Sequence, residues 1–359
     1  MGSGRSQSYV DFFLTRMLLD FGEAWKNELT DNVKKIISSS KVSHPSKVIW
    51  QFGNEINSKR FAQNVFAWAG NNRNGSAHSE SVIPYYVEYF LAPGVEAVDN
   101  AYGQAATKEK IRIALGSIAA YSNPKSHDFL SALLNYEIVG LCAKSLKGRK
   151  VFELVDVVTV HYIASSNAPS WRSALDEFYS SWIASSKIDA LWSTEEIGLK
   201  RSENGDGAVF ATQVFARYLD WWLSKGMSAQ QGRAFLWGLD RGPSGGAAED
   251  AMDSLQKILG QSTELERLSI SSEEYEGSNI ELYGFTDTKT QKSYVFVFPS
   301  DQKKSANLAA LNIAGFKKVK PLITFQGDEK AGSLQIDDYD LTGPVSLPRS
   351  SIIVGELVK

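Results

Sequence analysis

The 359 residues suffice for one large domain with a small one beside it, or for two of similar size. Lys+Arg 38 against Asp+Glu 41 leave a formal charge of -3, a near balance that argues against a nucleic-acid partner or an anionic membrane surface. A single cysteine, Cys142, excludes an intramolecular disulfide framework, and the four histidines (His44, His78, His127, His161) form neither HExxH nor HxH, so no metal site is expected.

An apolar share of 43% supports a full core, and no apolar run reaches the ~18 residues of a membrane span. Nine Trp and 14 Tyr provide flat faces of the kind that stack on sugar rings, although ordinary cores use them too. Cys142, within Ile138-Val139-Gly140-Leu141-Cys142, reads as a buried inert thiol. Met1–Ser6 resembles an appended tag more than an export signal.

In chain order, residues 1–8 are expected to be tag without structure of their own. Tyr9–Phe21 is compatible with a strand or a helix, and Trp25–Ser40 with a helix. Short apolar runs at Val48–Phe52, Ile111–Ser117, Val155–Tyr162, Ala190–Glu195 and Ala234–Leu239 are expected strands. The polar, glycine-bearing Asn71–Ser81 reads as a loop, and its Asn74-Gly75-Ser76 fits a glycosylation acceptor, a pattern common by chance. Amphipathic stretches at Val82–Ala101, Asp128–Leu146, Ser170–Ser185, Ala208–Lys225 and Ala247–Leu259 are expected helices. Apolar strands alternating with helices mean parallel strands covered by helices, in a closed barrel or an open doubly wound sheet. After about Gln261 the pattern changes. Ile280–Phe285 and Ser293–Phe298 form a hairpin through Thr286–Lys292, and further short runs follow at Pro321–Phe325, Ser333–Ile336 and Ser351–Val354. Residues 263–359 are therefore expected to be an antiparallel β-sandwich behind a domain at 9–262.

Two of the strands end in carboxylates: Trp50-Gln51-Phe52-Gly53-Asn54-Glu55 and Leu191-Trp192-Ser193-Thr194-Glu195-Glu196. The C-terminal ends of parallel strands are where barrel enzymes place their chemistry. A carboxyl pair about 5–5.5 Å apart, one acid/base and one nucleophile, would cleave a glycosidic bond with retention. Either glutamate alone is better read as a strand cap or an ion-pair partner; two in the same setting favour function. Glu88, Glu137 and Glu177 fall within helical patterns and are expected to be solvated, and Trp221-Trp222 to pack.

These residues resemble the large clan of retaining glycosidases called clan A. Asn54-Glu55 is similar to its fourth-strand signature and Thr194-Glu195, with Gly198 nearby, to its seventh-strand nucleophile motif. Val160-His161-Tyr162 resembles the sixth-strand element and Phe235-Leu236-Trp237-Gly238 the eighth. The four occur in the clan's order over residues 48–240. The resemblance implies a (β/α)8 TIM barrel with an added β-sandwich, as in β-xylosidases and exopolysaccharide endoglycosidases. By it, Glu55 is the acid/base, Asn54 bonds the sugar hydroxyl beside the reacting carbon, and Glu195 is the nucleophile. Tyr162 holds that nucleophile, His161 lines the cleft and Trp237 stacks on the sugar. Glu-Ile-Gly also supports Glu196 through a Glu-x-Gly pattern, and alternate strand residues face opposite ways. Glu195 is preferred, with Glu196 kept among the substrate-binding residues.

The clan's fourth strand follows three βα units, some ~90 residues at about 30 per unit. Only 47 residues precede Val48, so the first two units are expected to be absent, with the arginine they supply; Arg16 is a faint substitute. Either the barrel is incomplete, a partner chain such as a second copy closes it, or the chain is a fragment. An open barrel leaves unpaired strand edges, from which oligomerisation is expected. The expected partner is a β-linked polysaccharide or oligosaccharide, met outside the cytoplasm, in the periplasm or after secretion, with no cofactor.

Gly242-Pro243-Ser244-Gly245-Gly246 matches the serine-hydrolase elbow, but every histidine precedes Ser244, and the match reads as a loop feeding a helix at Ala247. No GxGxxG opens a helix, which removes a dinucleotide enzyme. A non-catalytic sugar-binding protein derived from a glycosidase remains as the alternative.

Overall fold

The computed structural model describes residues 4–39, 48–59, 79–103, 112–163, 170–196, 207–228, 230–236, 242–259, 264–268, 270, 279–300, 306–308, 313, 315–326, 339–340, 345–347 and 351–359. By their contacts the residues divide into two compact units, Met1–His161 with Ala174–Trp192, and Tyr162–Ser173 with Ser193–Lys359.

The first unit opens with a single helix, α1 (Gly4–Ile37), which resolves Tyr9–Phe21 as helix and takes in most of the expected tag. Strand β1 (Ile49–Phe52) follows, then α2. The latter runs as Ile83–Tyr86, a π-type turn Val87–Leu91 and Ala92–Tyr102. Gly94 lets α2 lie directly on β1: a Cβ there would come within 2.6 Å of the Phe52 ring. Next are β2 (Arg112–Leu115), α3 (Pro124–Asn135) and β3 (Val157–His161). The Asn123 side chain caps α3 by accepting from the Lys125 N–H at 3.0 Å, with Pro124 preset in the first turn. Helix α4 (Ser170–Phe178) ends in a second π-type turn, Tyr179–Ile183, before β4 (Ala190–Glu196).

Helix α3 stops at Asn135, short of the expected Leu146. The reason is Glu88, which is buried where solvation was expected. Its carboxylate accepts from the backbone N–H groups of Val139 (2.7 Å), Gly140 (3.0 Å) and Leu141 (2.9 Å) and from the Tyr136 hydroxyl (3.2 Å). Donors that a longer helix would spend on its own carbonyls go to Glu88 instead. Glu137 lies outside any helix, in a bridge to Lys150, whereas Glu177 on α4 is exposed and pairs with His127 at 3.2 Å. Cys142 is buried, and burial, with Glu23 next, pushes its thiol up to about 11.

The second unit contains α5 (Gly207–Ser224), β5 (Gly232–Leu236) and α6 (Gly242–Leu259). The Gly242–Gly246 segment expected to be a loop forms the first turn of α6, where Pro243 loses no needed hydrogen bond. Trp221 on α5 is fully buried. The parallel sheet runs in the order β1-β2-β3-β4-β5, with β1/β2 and β2/β3 paired in parallel. Five strands are thus in sequence order, as expected of successive βα units.

Beyond α6 the second unit is antiparallel. Strands β6 (Leu265–Leu268), β7 (Ile280–Asp287), β8 (Ser293–Pro299), β10 (Lys318–Gln326), β11 (Tyr339–Asp340) and β13 (Ser351–Val358) form one sheet. Its order is β11-β10-β13-β8-β7-β6, and β9 (Ala306–Leu308) pairs with β12 (Val345–Leu347) in a second sheet. Alternation sorts the side chains. Val295, Val297, Ile353 and Leu357 pack with Ala306 and Leu347 of the small sheet. Tyr294, Phe296, Phe298, Ile352 and Val354 pack instead with Val209 and Ala216 of α5 and Leu255 and Leu259 of α6. The large sheet is therefore covered on both faces, by the small sheet on one and by helices on the other. That is why Tyr294–Phe298 is apolar without a break. Expected strand Ser333–Ile336 lies outside the described residues.

Candidate active site

Glu55 follows β1 in a sharply turned loop. Gly53 and Glu55 both take positive φ, 92° and 44°. Left-handed backbone at a glutamate is disfavoured and persists only where neighbours enforce it. The enforcing contacts come from the loop after β2. The Ile56 N–H donates to the Ser117 carbonyl at 3.0 Å. Asn57, fully buried, donates to the Ala119 carbonyl at 3.0 Å and accepts from the Ala119 N–H at 2.8 Å. Tyr86 of α2 donates to the Phe52 carbonyl at 2.7 Å, and burial pushes its phenol well above the usual range, keeping it a donor. Gly116 allows the two strand ends this close, since a Cβ there would lie 2.3 Å from the Phe52 carbonyl oxygen.

Glu55 is 6% exposed, and its Oε1 lies 3.1 Å from Nδ1 of His161 at the end of β3. His161, expected to line the cleft, is 1% exposed: its place is against Glu55, with little surface left for a ligand. Asn54 is half-buried beside Glu55 in the same loop. Two residues before His161, Thr159 begins a polar ladder across the strands. Its hydroxyl lies 2.9 Å from that of Ser117, which accepts from Gln51 at 3.1 Å.

Glu195, at the end of β4, is half-buried, and its Oε2 accepts from the Tyr162 hydroxyl at 2.9 Å. The Tyr162 N–H donates to the Glu195 carbonyl at 3.0 Å, and Tyr162 itself is left-handed, with φ 56°. Glu196 has no exposure. Its Oε1 accepts from the Ser193 hydroxyl (2.6 Å), the Ile163 N–H (3.0 Å) and the Tyr218 hydroxyl of α5 (2.8 Å). Glu196, expected among the substrate-binding residues, is thus buried with its Oε1 held by protein donors, while Glu195 keeps a solvent-reached surface. Trp237 and Gly198 lie outside the described residues, and so does the Arg16 side chain.

The structure thus brings Glu55 to His161 and Glu195 to Tyr162. Sequence reasoning missed Asn57, Tyr86, Ser117, Thr159, Ser193 and Tyr218. For Ser117, Thr159 and Ser193 a signal existed, since a hydroxyl inside an apolar strand must find a partner when buried.

No protein-family model matches the sequence, and no curated protein matches it. Among solved structures the chain is similar to a conserved exported protein from Bacteroides fragilis, at 13% identity over 92% of this chain and 70% of that one, TM-score 0.47. It is similar to a GH30 endoxylanase from Clostridium papyrosolvens C71, at 10% identity over 95% and 72%, TM-score 0.43. It also resembles an α-L-arabinofuranosidase from Thermotoga maritima, at 11% identity over 88% and 68%, TM-score 0.48. Likenesses this remote assign no activity.

Proposed function

We propose that the protein is a retaining glycoside hydrolase in which Glu55 is the acid/base and Glu195 the nucleophile. The observation that supports this is an adjacency in the chain: His161, which holds Glu55, and Tyr162, which holds Glu195, are consecutive residues. One peptide link therefore joins the anchors of both carboxyls, as expected if they serve the same bond. Left-handed backbone at both Glu55 and Tyr162 adds to this, because such strain collects at functional sites.

In the first step Glu195 attacks the anomeric carbon while the proton of Glu55 passes to the leaving oxygen, giving a glycosyl ester on Glu195. In the second, Glu55 takes a proton from water as the water displaces that ester. The Tyr162 hydroxyl keeps the Glu195 carboxylate oriented for attack. Asn54 binds the neighbouring sugar hydroxyl and Trp237 stacks on the ring. Residues 9–262 supply this chemistry and 263–359 the β-domain of a (β/α)-type glycosidase.

The substrate class is a β-linked polysaccharide or oligosaccharide met outside the cytoplasm. None of the described helices is long and apolar enough to cross a membrane. Hydrolysis across a panel of β-glucans, xylans, mannans, galactans and bacterial exopolysaccharides tests the reading. Glu55→Gln and Glu195→Gln should each abolish turnover with the fold intact, and NMR of the first product should show the anomer retained. Inversion, or full activity in either variant, would overturn it.

A further inference from the structure

Glu196 follows the proposed nucleophile directly, is completely buried, and offers one carboxylate oxygen to three donors from three parts of the chain. A buried charge persists only where such charge-assisted bonds compensate its lost hydration. Two of the donors are side chains, Ser193 of β4 and Tyr218 of α5. The third is the backbone N–H of Ile163, the residue after Tyr162. Burial, and then Glu196 itself, push the Tyr218 phenol well above its ordinary range, so it stays a donor.

Tyr162 is thus gripped from both sides. Its own N–H bonds to the Glu195 carbonyl at 3.0 Å, and the next N–H bonds to the Glu196 carboxylate at 3.0 Å. Between these two ties the residue adopts φ 56°, a conformation a tyrosine does not take by preference. That conformation carries the phenol to Glu195 Oε2. Release of the Ile163 N–H would let Tyr162 relax toward extended backbone and swing its hydroxyl off the nucleophile.

Resting on the proposed role of Glu195, we propose that Glu196 is a positioning residue: its buried carboxylate clamps the Tyr162–Ile163 peptide and so aims the Tyr162 hydroxyl at the nucleophile. The Glu-Ile-Gly pattern that makes Glu196 look like a rival nucleophile then has another meaning. Its carboxylate works on the protein's own backbone.

The test uses the full chain labelled with [13Cζ]tyrosine. The Tyr162 signal is identified by its loss in Tyr162→Phe, and Glu195→Gln shows how far it moves when its acceptor loses its charge. Glu196→Gln should move the same signal although Glu195 is untouched, and Tyr218→Phe, which removes one smaller support, should move it in the same direction. On whichever polysaccharide of the panel is cleaved, Glu196→Gln should lower kcat about tenfold with KM held, the usual scale for weakening a charge-assisted bond. The double variant Tyr162→Phe/Glu196→Gln should be no slower than Tyr162→Phe alone. A Tyr162 signal unmoved in folded Glu196→Gln and Tyr218→Phe, or losses that multiply in the double variant, would overturn the clamp. The NMR arm needs no substrate, so a chain that cleaves no glycan would sink the proposed function while leaving the clamp decided by the Tyr162 signal.

Discussion

Glu88 lies on the π-type turn of α2 with four donors around its carboxylate, three of them backbone N–H groups. Its removal strands those buried donors, so Glu88→Ala should cost about 3 kcal/mol or more in denaturant unfolding. Stability unchanged by the substitution would contradict the role. Helical spacing placed this residue among solvated glutamates, because nothing local to Val87-Glu88-Tyr89 announces that residues 139–141 present their N–H groups to it. The places of Glu55 and Glu195 at strand ends were legible for the opposite reason, since a carboxylate that closes a short apolar strand is conspicuous. The separation of Glu195 from Glu196 was not legible. It depends on Ser193, Ile163 and Tyr218, which come together only in the fold.

Lys26 on α1 meets Glu96 on α2 at 3.0 Å. Burial alone would raise the Glu96 carboxyl, but the Ser145 hydroxyl and Lys26 outweigh it, and the folded value lies below the ordinary 4.5. Its contribution to stability is therefore full above that value and is lost as pH falls through the lower, folded one. Lys26 is raised, its desolvation outweighed by Glu96 and Glu23, so its contribution fades only as strongly alkaline pH passes the folded value. Glu96→Gln should flatten the acid limb of a melting-temperature profile; curves that stay parallel below pH 4.5 would contradict this. On the antiparallel sheet, Phe296 packs against the α5 and α6 cluster, and Phe296→Ala should cost about 3–5 kcal/mol, read from the same unfolding curves. A loss well under that would show the helix-covered face to be poorly packed. The parallel strands could be read from their unbroken apolar runs. The end of α3 could not, because a distant carboxylate sets it.

Among the described residues, the parallel sheet has β1 and β5 at its two ends. Edge strands can template association, and we propose that copies of the chain pair there. Light scattering at micromolar concentration should detect an oligomer, and a clean monomer would count against it. The order of βα units was legible in the alternation of apolar runs with amphipathic stretches. The double cover of the antiparallel sheet was not, since an apolar strand looks the same whether helix or strand lies over it. The most direct measurement of shared action by Glu55 and Glu195 is the mass of the intact Glu55→Gln protein after mixing with an activated aryl glycoside of the cleaved sugar. A leaving group that needs no proton should let Glu195 form its ester and leave it standing, adding one glycosyl unit that peptide mapping places on Glu195. Hydrolysis without any adduct, or an adduct on another residue, would contradict the assignment.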